Sequence, residues 1–398
     1  MLIKLSNLNL INNKFYLKLL LLLFFSFQQL LSIRFFFSSK YIIYDPFYSW
    51  TLYVFFSSVI FWVFLNNKFI IKFFTHKFFF FITIFILSLF FLKMYPIADS
   101  MKNFNLGIDQ DDCFLVFIEN FKNNEFLYSK TYLGNPCSTG LLEFVFYFPV
   151  IFWTDYFSIV PVLALVIFYF LLSKEVSNNI AIFFTLMQLC NVIFIEMGVA
   201  GSDFLLIGVS YIASLRLSHM GFKYNNKTYL ILSFLFFIFF YGSRSVFLLL
   251  IPFNFYLMWL KFNSRILKLF IPVILITFLS YGIPSFINFE MFTPFHLFGK
   301  VYFLFYQAKY FILILLGFMI FFLAIYRPAI QNFLLKNDSL LLPQVMLITA
   351  PLALVVLTSF FSTIDLGSWE ELNYTLLFIP SIFYLLAKNF EKKLFFTF

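Results

Sequence analysis

Three carboxylates occur within four positions of one polar segment, at Asp109, Asp111 and Asp112. Carboxylates at this spacing cannot all stay ionised and close together without a cation, a basic partner or a proton. The motif therefore suits two kinds of chemistry: general-base catalysis by one Asp, or binding of a divalent cation, for which Asp111 and Asp112 are the predicted ligands. A solvated acidic loop is the alternative for the motif taken alone.

The residues after this motif favour an ordered loop. The stretch "YLGNPCSTG" contains a glycine, an Asn-Pro pair and a Ser-Thr-Gly run, and apolar residues follow it directly. Residues of these types mark turns. We therefore predict that the segment from Gly107 to Gly140 is structured and returns to the membrane.

Other polar and aromatic residues fall at the ends of apolar runs. Arg244 occupies a very short turn and needs an anion there: a carboxylate, a lipid headgroup or a substrate phosphate. Trp369 beside Glu370 is a pair that lines sugar sites, because the ring packs on C–H groups while the carboxylate accepts from hydroxyls. Interfacial anchoring is the alternative for such residues. The predicted substrate-binding residues are Asp203, Arg244, His296, Lys300, Trp369 and Glu370.

The composition indicates which solvent surrounds these groups. The chain has 398 residues, of which 63% are hydrophobic and 11% charged. A soluble domain of this length could not bury so much apolar surface, so lipid is the expected solvent. The net charge of +9 comes from small basic groups between apolar runs and not from a basic patch with interleaved aromatics. Nucleic acid is therefore not an expected partner.

Apolar runs of about 20 residues mark the expected membrane spans. They lie near 16–34, 47–66, 78–95, 179–196, 203–217, 229–242, 245–260, 269–287, 303–326, 340–361 and 373–387. The stretch 141–173 holds two further apolar runs and crosses the membrane either once or twice.

Charge decides between these two options. With a single crossing in 141–173, the basic clusters at 216–227, 261–268 and 388–393 lie on the cytoplasmic side, as the positive-inside bias requires. Two crossings would place these clusters outside. We therefore predict an all-α polytopic integral membrane protein with about 12 transmembrane helices and both termini cytoplasmic.

The whole chain, 1–398, is expected to be one transmembrane domain, in which 96–156 is an extracytoplasmic acidic loop with interfacial helices. Cys113 and Cys137 lie in this loop, and no CxxC or Cys/His pattern suits zinc. A disulfide between them requires the loop to be outside, and two unpaired thiols are the favoured interpretation.

Four stretches of the chain resemble the GT-C glycosyltransferases, polytopic membrane enzymes that use polyprenyl-phosphate sugars as donors. They are "GIDQDDCFLVFIENFKNNEFLYSKTYLGNPCSTGLLEFVFYFP", "AGSDFLL", "GSRSVFLLLIPF" and "WEELNYTLLFIP". The family has a large acidic outer loop with interfacial helices, commonly after the first span. In this chain the acidic loop follows the third predicted span.

The resemblance implies a multi-pass enzyme that acts at the extracytoplasmic face of a bacterial cytoplasmic membrane. Asp109 would be the leading base, with Asp111 and Asp112 next, and inversion at the anomeric carbon is expected. Arg244 and Lys300 would hold the leaving polyprenyl phosphate. The implied partners are a polyprenyl-phosphate sugar, a glycan or lipid-linked acceptor and membrane lipids, and a divalent cation is the one candidate cofactor. The residues implied for the sugar or the acceptor are Asp203, Trp369 and Glu370.

Two other functions fit parts of the pattern. A polysaccharide polymerase or ligase of the O-antigen type shares the lipid-linked donor and the span count, but such enzymes concentrate Arg in late outer loops. A polysaccharide or lipid transporter would place ionisable residues mid-span and often repeats its halves, whereas the charges here lie at span ends and no internal repeat is found.

Overall fold

The structure, a computed structural model, is built almost wholly of packed α-helices, and the residues that it describes contain no β-strand. These residues are 14–30, 32–38, 45–101, 110–154, 157–296, 343–345, 347–348 and 374–391. The helices are α1 Lys14–Leu30, α2 Ile33–Ser38, α3 Pro46–Asn66, α4 Lys68–Phe74, α5 Lys77–Ser100, α6 Gln110–Lys122, α7 Leu141–Thr154, α8 Val160–Ser173, α9 Asn178–Leu189, α10 Val192–Val199, α11 Phe204–Tyr224, α12 Lys227–Ser243, α13 Ile251–Phe262, α14 Leu267–Ile287 and α15 Thr375–Glu391.

Several helices are long and apolar enough to cross a membrane. Within the described ranges four helical stretches meet this requirement, or five if the bent pair α9 and α10 is one span. The chain is therefore a helical membrane protein. The count of about 12 spans stays a prediction, because α1, α8, α12 and α15 are apolar but shorter and the predicted spans 303–326 and 340–361 lie wholly or largely outside the described residues.

The predicted span 179–196 is bent in its middle. Helices α9 and α10 meet at an angle of 70°. The Asn191 side chain accepts a hydrogen bond from the Ile193 N–H at 2.9 Å, and this cap starts a new helix in a new direction.

The apolar stretch Ser245–Ile287 reverses direction. The rings of Phe255 and Phe270 lie 5.6 Å apart. A straight helix would separate residues at that spacing by about 22 Å. The reversal occurs at Asn263, whose φ of 49° is left-handed and ends α13. The chain therefore turns back between α13 and α14, and the two separate spans at 245–260 and 269–287 stay a prediction.

Helix α11 is the centre of the described bundle, and other helices face lipid. The apolar window of α11 is wholly buried, and the helix packs on α8, α12 and α15. Helices α3 and α5 instead leave side chains such as Phe55, Ile86 and Leu89 exposed. Such surfaces require an apolar solvent.

An ion cluster joins α8, α11 and α15 at one end of the bundle. Glu175, just after α8, pairs with Arg216 of α11 and, at 3.3 Å, with Lys388 of α15. Burial opposes ionisation of Glu175, but the two cations outweigh it, so the pKa of this carboxyl is lowered. All three residues belong to the side predicted to be cytoplasmic.

Helix α7 begins and ends at the opposite end of the bundle. Near its start, Glu143 contacts Arg244, which follows α12. Just beyond its end, Phe157 stacks on Phe114 of α6 at 5.1 Å. Helix α7 thus lies along α6 and does not connect the two ends of the bundle. This is the arrangement expected of an interfacial helix, and the membrane position of the 96–156 loop stays a prediction.

Candidate active site

Helix α6 carries two residues of the acidic motif in its first turn. Asp111 and Asp112 occupy that turn, where the helix dipole favours negative charge. The apolar face of α6 packs on α7, with the rings of Phe117 and Phe144 stacked at 4.6 Å. The packing fixes the helix, so the two carboxylates are held in place and are not on a solvated loop.

A third carboxylate joins them from α5. One oxygen each of Asp99, Asp111 and Asp112 lies within 4.8 Å of the others. Asp111 and Asp112 are buried, and Asp99 is half-buried. One turn before Asp99, the Tyr95 hydroxyl donates to Asp111 Oδ2 at 2.7 Å. The i, i+4 spacing places Tyr95 and Asp99 on the same face of α5. We call the carboxylates of Asp99, Asp111 and Asp112 the acidic cluster.

The acidic cluster has the donor set of a divalent-cation site. Three carboxylates this close repel one another unless a cation or a proton intervenes. Hard cations such as Mg²⁺ and Mn²⁺ prefer carboxylate oxygens. The predicted ligands Asp111 and Asp112 therefore do lie together, and the structure adds Asp99. Asp99 is not among the predicted site residues, because nothing in "YPIADS" indicates that the end of α5 lies beside α6.

The turn between α10 and α11 forms one wall of the acidic cluster. Gly201 has a φ of +78°, and a Cβ added to it would lie 2.5 Å from Asp111 Oδ2. Only glycine permits this approach and this backbone conformation. Two residues later, the Asp203 N–H donates to Gln110 Oε1 at 3.3 Å. The turn therefore contacts the first turn of α6 at Asp111 and at Gln110.

A second cluster of charges lies beside this wall and is fully enclosed. Arg244 Nη1 donates to Glu143 Oε2 of α7, and Arg244 Nη2 donates to Asp203 Oδ1 at 3.1 Å. The three side chains are at most 5% exposed. Burial of Arg244 is offset by the two carboxylates, and the pKa of its guanidinium is raised. We call these three residues the arginine cluster.

The arginine cluster shows which anion pairs with Arg244. Of the three anions considered for it, a carboxylate is the one found. Asp203, predicted to bind substrate, is one partner and is itself buried. Glu143 was missed, although a lone ionisable residue in the apolar run "LLEFVFYFP" is a signal of function in membrane proteins.

The loop between α6 and α7 contains a disulfide, so the favoured interpretation of two unpaired thiols is wrong. Cys113 and Cys137 are bonded, with Cα atoms 5.4 Å apart. A turn at Gly134, which has a φ of 85°, and an antiparallel bridge between Lys130 and Pro136 bring the chain back over α6. Sequence spacing alone does not show this return.

The end of the same loop is attached to the arginine cluster. Thr139 forms an antiparallel bridge with Arg244, and the Gly140 N–H donates to the Ser243 carbonyl at 2.9 Å. A Cβ at Gly140 would clash with the carbonyl oxygen of Gly242, so glycine is required for this contact.

Of the remaining predicted site residues, the structure describes only His296. His296 is half-buried, and its Nδ1 lies 2.8 Å from the Thr293 carbonyl. The turn before it contacts the disulfide loop, since Thr293 Oγ1 donates to the Cys137 carbonyl at 2.7 Å. His296 therefore lies close to the disulfide loop. Four predicted residues fall outside the described ranges: Asp109, Lys300, Trp369 and Glu370.

Comparisons of the chain with protein-family models, curated proteins and solved structures give no match. The two clusters and the loop that joins them are therefore the features of the chain that bear on its function.

Tyr95→Phe is expected to weaken cation binding about 10–100-fold, because the hydroxyl that orients Asp111 is lost while the ring remains. Titration of the purified protein with Mn²⁺, followed by paramagnetic resonance of the free ion, measures this. Tyr132→Phe is the matched control, since its hydroxyl bonds to Glu119 outside the acidic cluster. Equal affinity in the parent and Tyr95→Phe would show that Asp111 is not a ligand.

Proposed function

We propose that the protein is a membrane glycosyltransferase that moves a sugar from a polyprenyl-phosphate-linked donor to a glycan or lipid-linked acceptor at the extracytoplasmic face. The observation that carries this proposal is the acidic cluster, which packing holds at one end of a lipid-facing helical bundle. Buried carboxylates in such a place are the means of general-base catalysis or of cation binding.

In the proposed reaction a carboxylate takes the proton of an acceptor hydroxyl, whose oxygen attacks the anomeric carbon. The bond from that carbon to the phosphate oxygen breaks, polyprenyl phosphate leaves, and the configuration inverts. Asp109 directly precedes α6 and is our leading base. Asp99, Asp111 and Asp112 would hold a divalent cation, which would offset the negative charge of the donor phosphate.

The surroundings of the acidic cluster suit a lipid-linked donor. Asp99 lies near the end of α5, whose side chains Ile86, Leu89 and Ile97 are exposed to lipid. A polyprenyl tail could pack along this face while its phosphate reaches the carboxylates. The disulfide between Cys113 and Cys137 supports an oxidising compartment for this end.

Transfer assays test this proposal directly. Purified protein would be incubated with a panel of radiolabelled polyprenyl-phosphate sugars, with membrane lipid extract and glycan as acceptors. Label moved to any acceptor supports the glycosyltransferase. Turnover of undecaprenyl-diphosphate oligosaccharides alone would replace it with a polymerase.

One observation favours a transporter as the second candidate. The span formed by α9 and α10 is broken, and broken spans line the binding sites of many transporters. At the break, amide atoms of Gln188 and Asn191 are buried without a hydrogen-bond partner among the described residues. Movement of a labelled lipid-linked sugar across proteoliposomes, with no transfer to any acceptor, would favour this candidate.

The topology on which both candidates depend can be measured with matched single cysteines. Asn123 and Asn225 are both exposed in turns, one after α6 and one after α11. In a Cys190→Ala background, an impermeant thiol reagent applied to intact cells should label Asn123→Cys and spare Asn225→Cys. The reverse labelling would place the acidic cluster in the cytoplasm.

A further inference from the structure

The charges of the arginine cluster do not balance. It holds one guanidinium and two carboxylates, and the side chains of Glu143 and Asp203 are 0% exposed. If both acids were ionised, one negative charge would remain buried, and an uncompensated buried ion is strongly destabilising. A proton on one of the two acids removes this cost.

The hydrogen bonds indicate which acid carries the proton. Both oxygens of Asp203 accept from Arg244 Nη2, at 3.1 and 3.3 Å. Glu143 meets Arg244 through Oε2 alone, and its buried Oε1 has no hydrogen-bond partner among the described residues. A buried anionic oxygen without a donor is costly, whereas a carboxylic acid supplies a donor of its own at that position.

The surroundings of Glu143 agree with this assignment. Burial raises the pKa of its carboxyl well above the ordinary value of 4.5, Arg244 lowers it in part, and Asp203 raises it further. Among the described residues, the other titratable groups that face the arginine cluster are phenols, which are neutral at physiological pH. They come from the loop, α7 and α14, and are Tyr128, Tyr147 and Tyr281.

We propose that Glu143 is a neutral carboxylic acid that shares its proton with Asp203, and that this neutral arginine cluster positions the acidic turn of α6. The connection is short, because the Asp203 N–H bonds to Gln110, and Gln110 directly precedes Asp111. Protonation of Glu143 stands independently of the enzymatic reaction. Only the consequence for catalysis rests on the proposed function.

Infrared difference spectroscopy detects the proton itself. The parent protein at neutral pH should show the carbonyl stretch of a protonated carboxylic acid, which shifts in D₂O and is lost in Glu143→Gln. The exposed Glu119 gives a matched control, since Glu119→Gln removes a carboxyl group outside the arginine cluster and should leave this band unchanged. A difference spectrum of parent minus Glu143→Gln without this band would overturn the assignment.

The pH dependence of stability gives an independent check, because a neutral and an ionised Glu143 predict opposite trends. A folded-state pKa above 4.5 means that the folded protein binds more protons, so stability falls as pH rises from 4.5 through the folded-state pKa. The parent should therefore gain stability relative to Glu143→Gln as pH is lowered from about 7 to about 5. A parent that loses stability relative to Glu143→Gln over this range, or a constant difference, would contradict a neutral Glu143.

Hydrogen exchange tests the positioning role without any assay of activity. In Glu143→Gln, the amide N–H₂ can donate to Asp203 as the acid would, so the amides of the first turn of α6 should stay protected. In Glu143→Ala they should exchange faster by about tenfold or more, which corresponds to a loss of about 1.4 kcal/mol in local stability. Unchanged exchange in a folded Glu143→Ala would reject positioning. If that variant does not fold, fast exchange in Glu143→Gln rejects the neutral cluster.

Discussion

Asp109→Asn is expected to lower the rate of sugar transfer by a factor of about 10²–10⁴, because an amide cannot accept the acceptor proton. The side chain hardly changes in size, so the amount of folded protein in the membrane should stay the same. Asp111→Asn and Asp112→Asn should also be impaired, and excess Mn²⁺ should restore part of their activity, since both residues lie in the acidic cluster. Initial rates with the donor found in the transfer assay measure all three effects.

Glu125→Gln is the control for these variants. Glu125 lies in the same acidic segment but is exposed, so its loss of charge should leave the rate unchanged. Equal activity of the three Asp variants and the parent at matched expression would reject the glycosyltransferase. Loss in Asp111→Asn or Asp112→Asn alone would keep the reaction class and move the base onto α6.

Arg244→Ala is expected to destabilise the protein by about 3–5 kcal/mol, because it leaves two buried carboxyl groups without their cation. The stability of Arg244→Lys should lie between that of the parent and that of Arg244→Ala. An ammonium keeps the charge but cannot reproduce the planar fork that reaches Glu143 and Asp203 together. Thermal unfolding of detergent-purified variants, with the fraction of folded protein after extraction, measures the loss.

Arg265 provides the comparison for Arg244. It is exposed in the turn between α13 and α14, so Arg265→Ala should change stability by no more than about 0.5 kcal/mol. A similar small effect of Arg244→Ala would mean that the arginine cluster does not support the fold. Arg244 would then be available for a substrate phosphate, as the resemblance to the GT-C family implies.

Elements with a strong apolar signal could be predicted from the sequence. The spans predicted at 47–66 and 78–95 correspond to α3 and α5, because a long run of apolar residues fixes both the type and the extent of a helix in lipid. The bend between α9 and α10 could not be predicted in this way, because it depends on one side-chain cap at Asn191. Apolar composition is the same on both sides of such a break.

The candidate site was predictable where residues are neighbours in sequence and not where they are neighbours only in space. Asp111 and Asp112 stand in one visible motif. Asp99 and Glu143 join the two clusters only because the end of α5 lies beside the first turn of α6 and α7 packs against α12. The pairing of Cys113 with Cys137 likewise depends on a turn that reverses the loop. Contacts of this kind depend on tertiary packing, which a local pattern does not contain.

The separation of Glu143 and Arg244 along the chain has a consequence for biogenesis. The two residues are 101 positions apart, so the carboxyl leaves the ribosome long before its cation. At about 5–20 residues per second, the delay is about 5–20 s. During this interval Glu143 lacks the hydrogen bond from Arg244, and Gly140 has no backbone at the end of α12 to bond to. The contacts of α7 and the disulfide loop with the end of α12 can therefore form only after α12 has been made, so this part of the fold is completed late in synthesis.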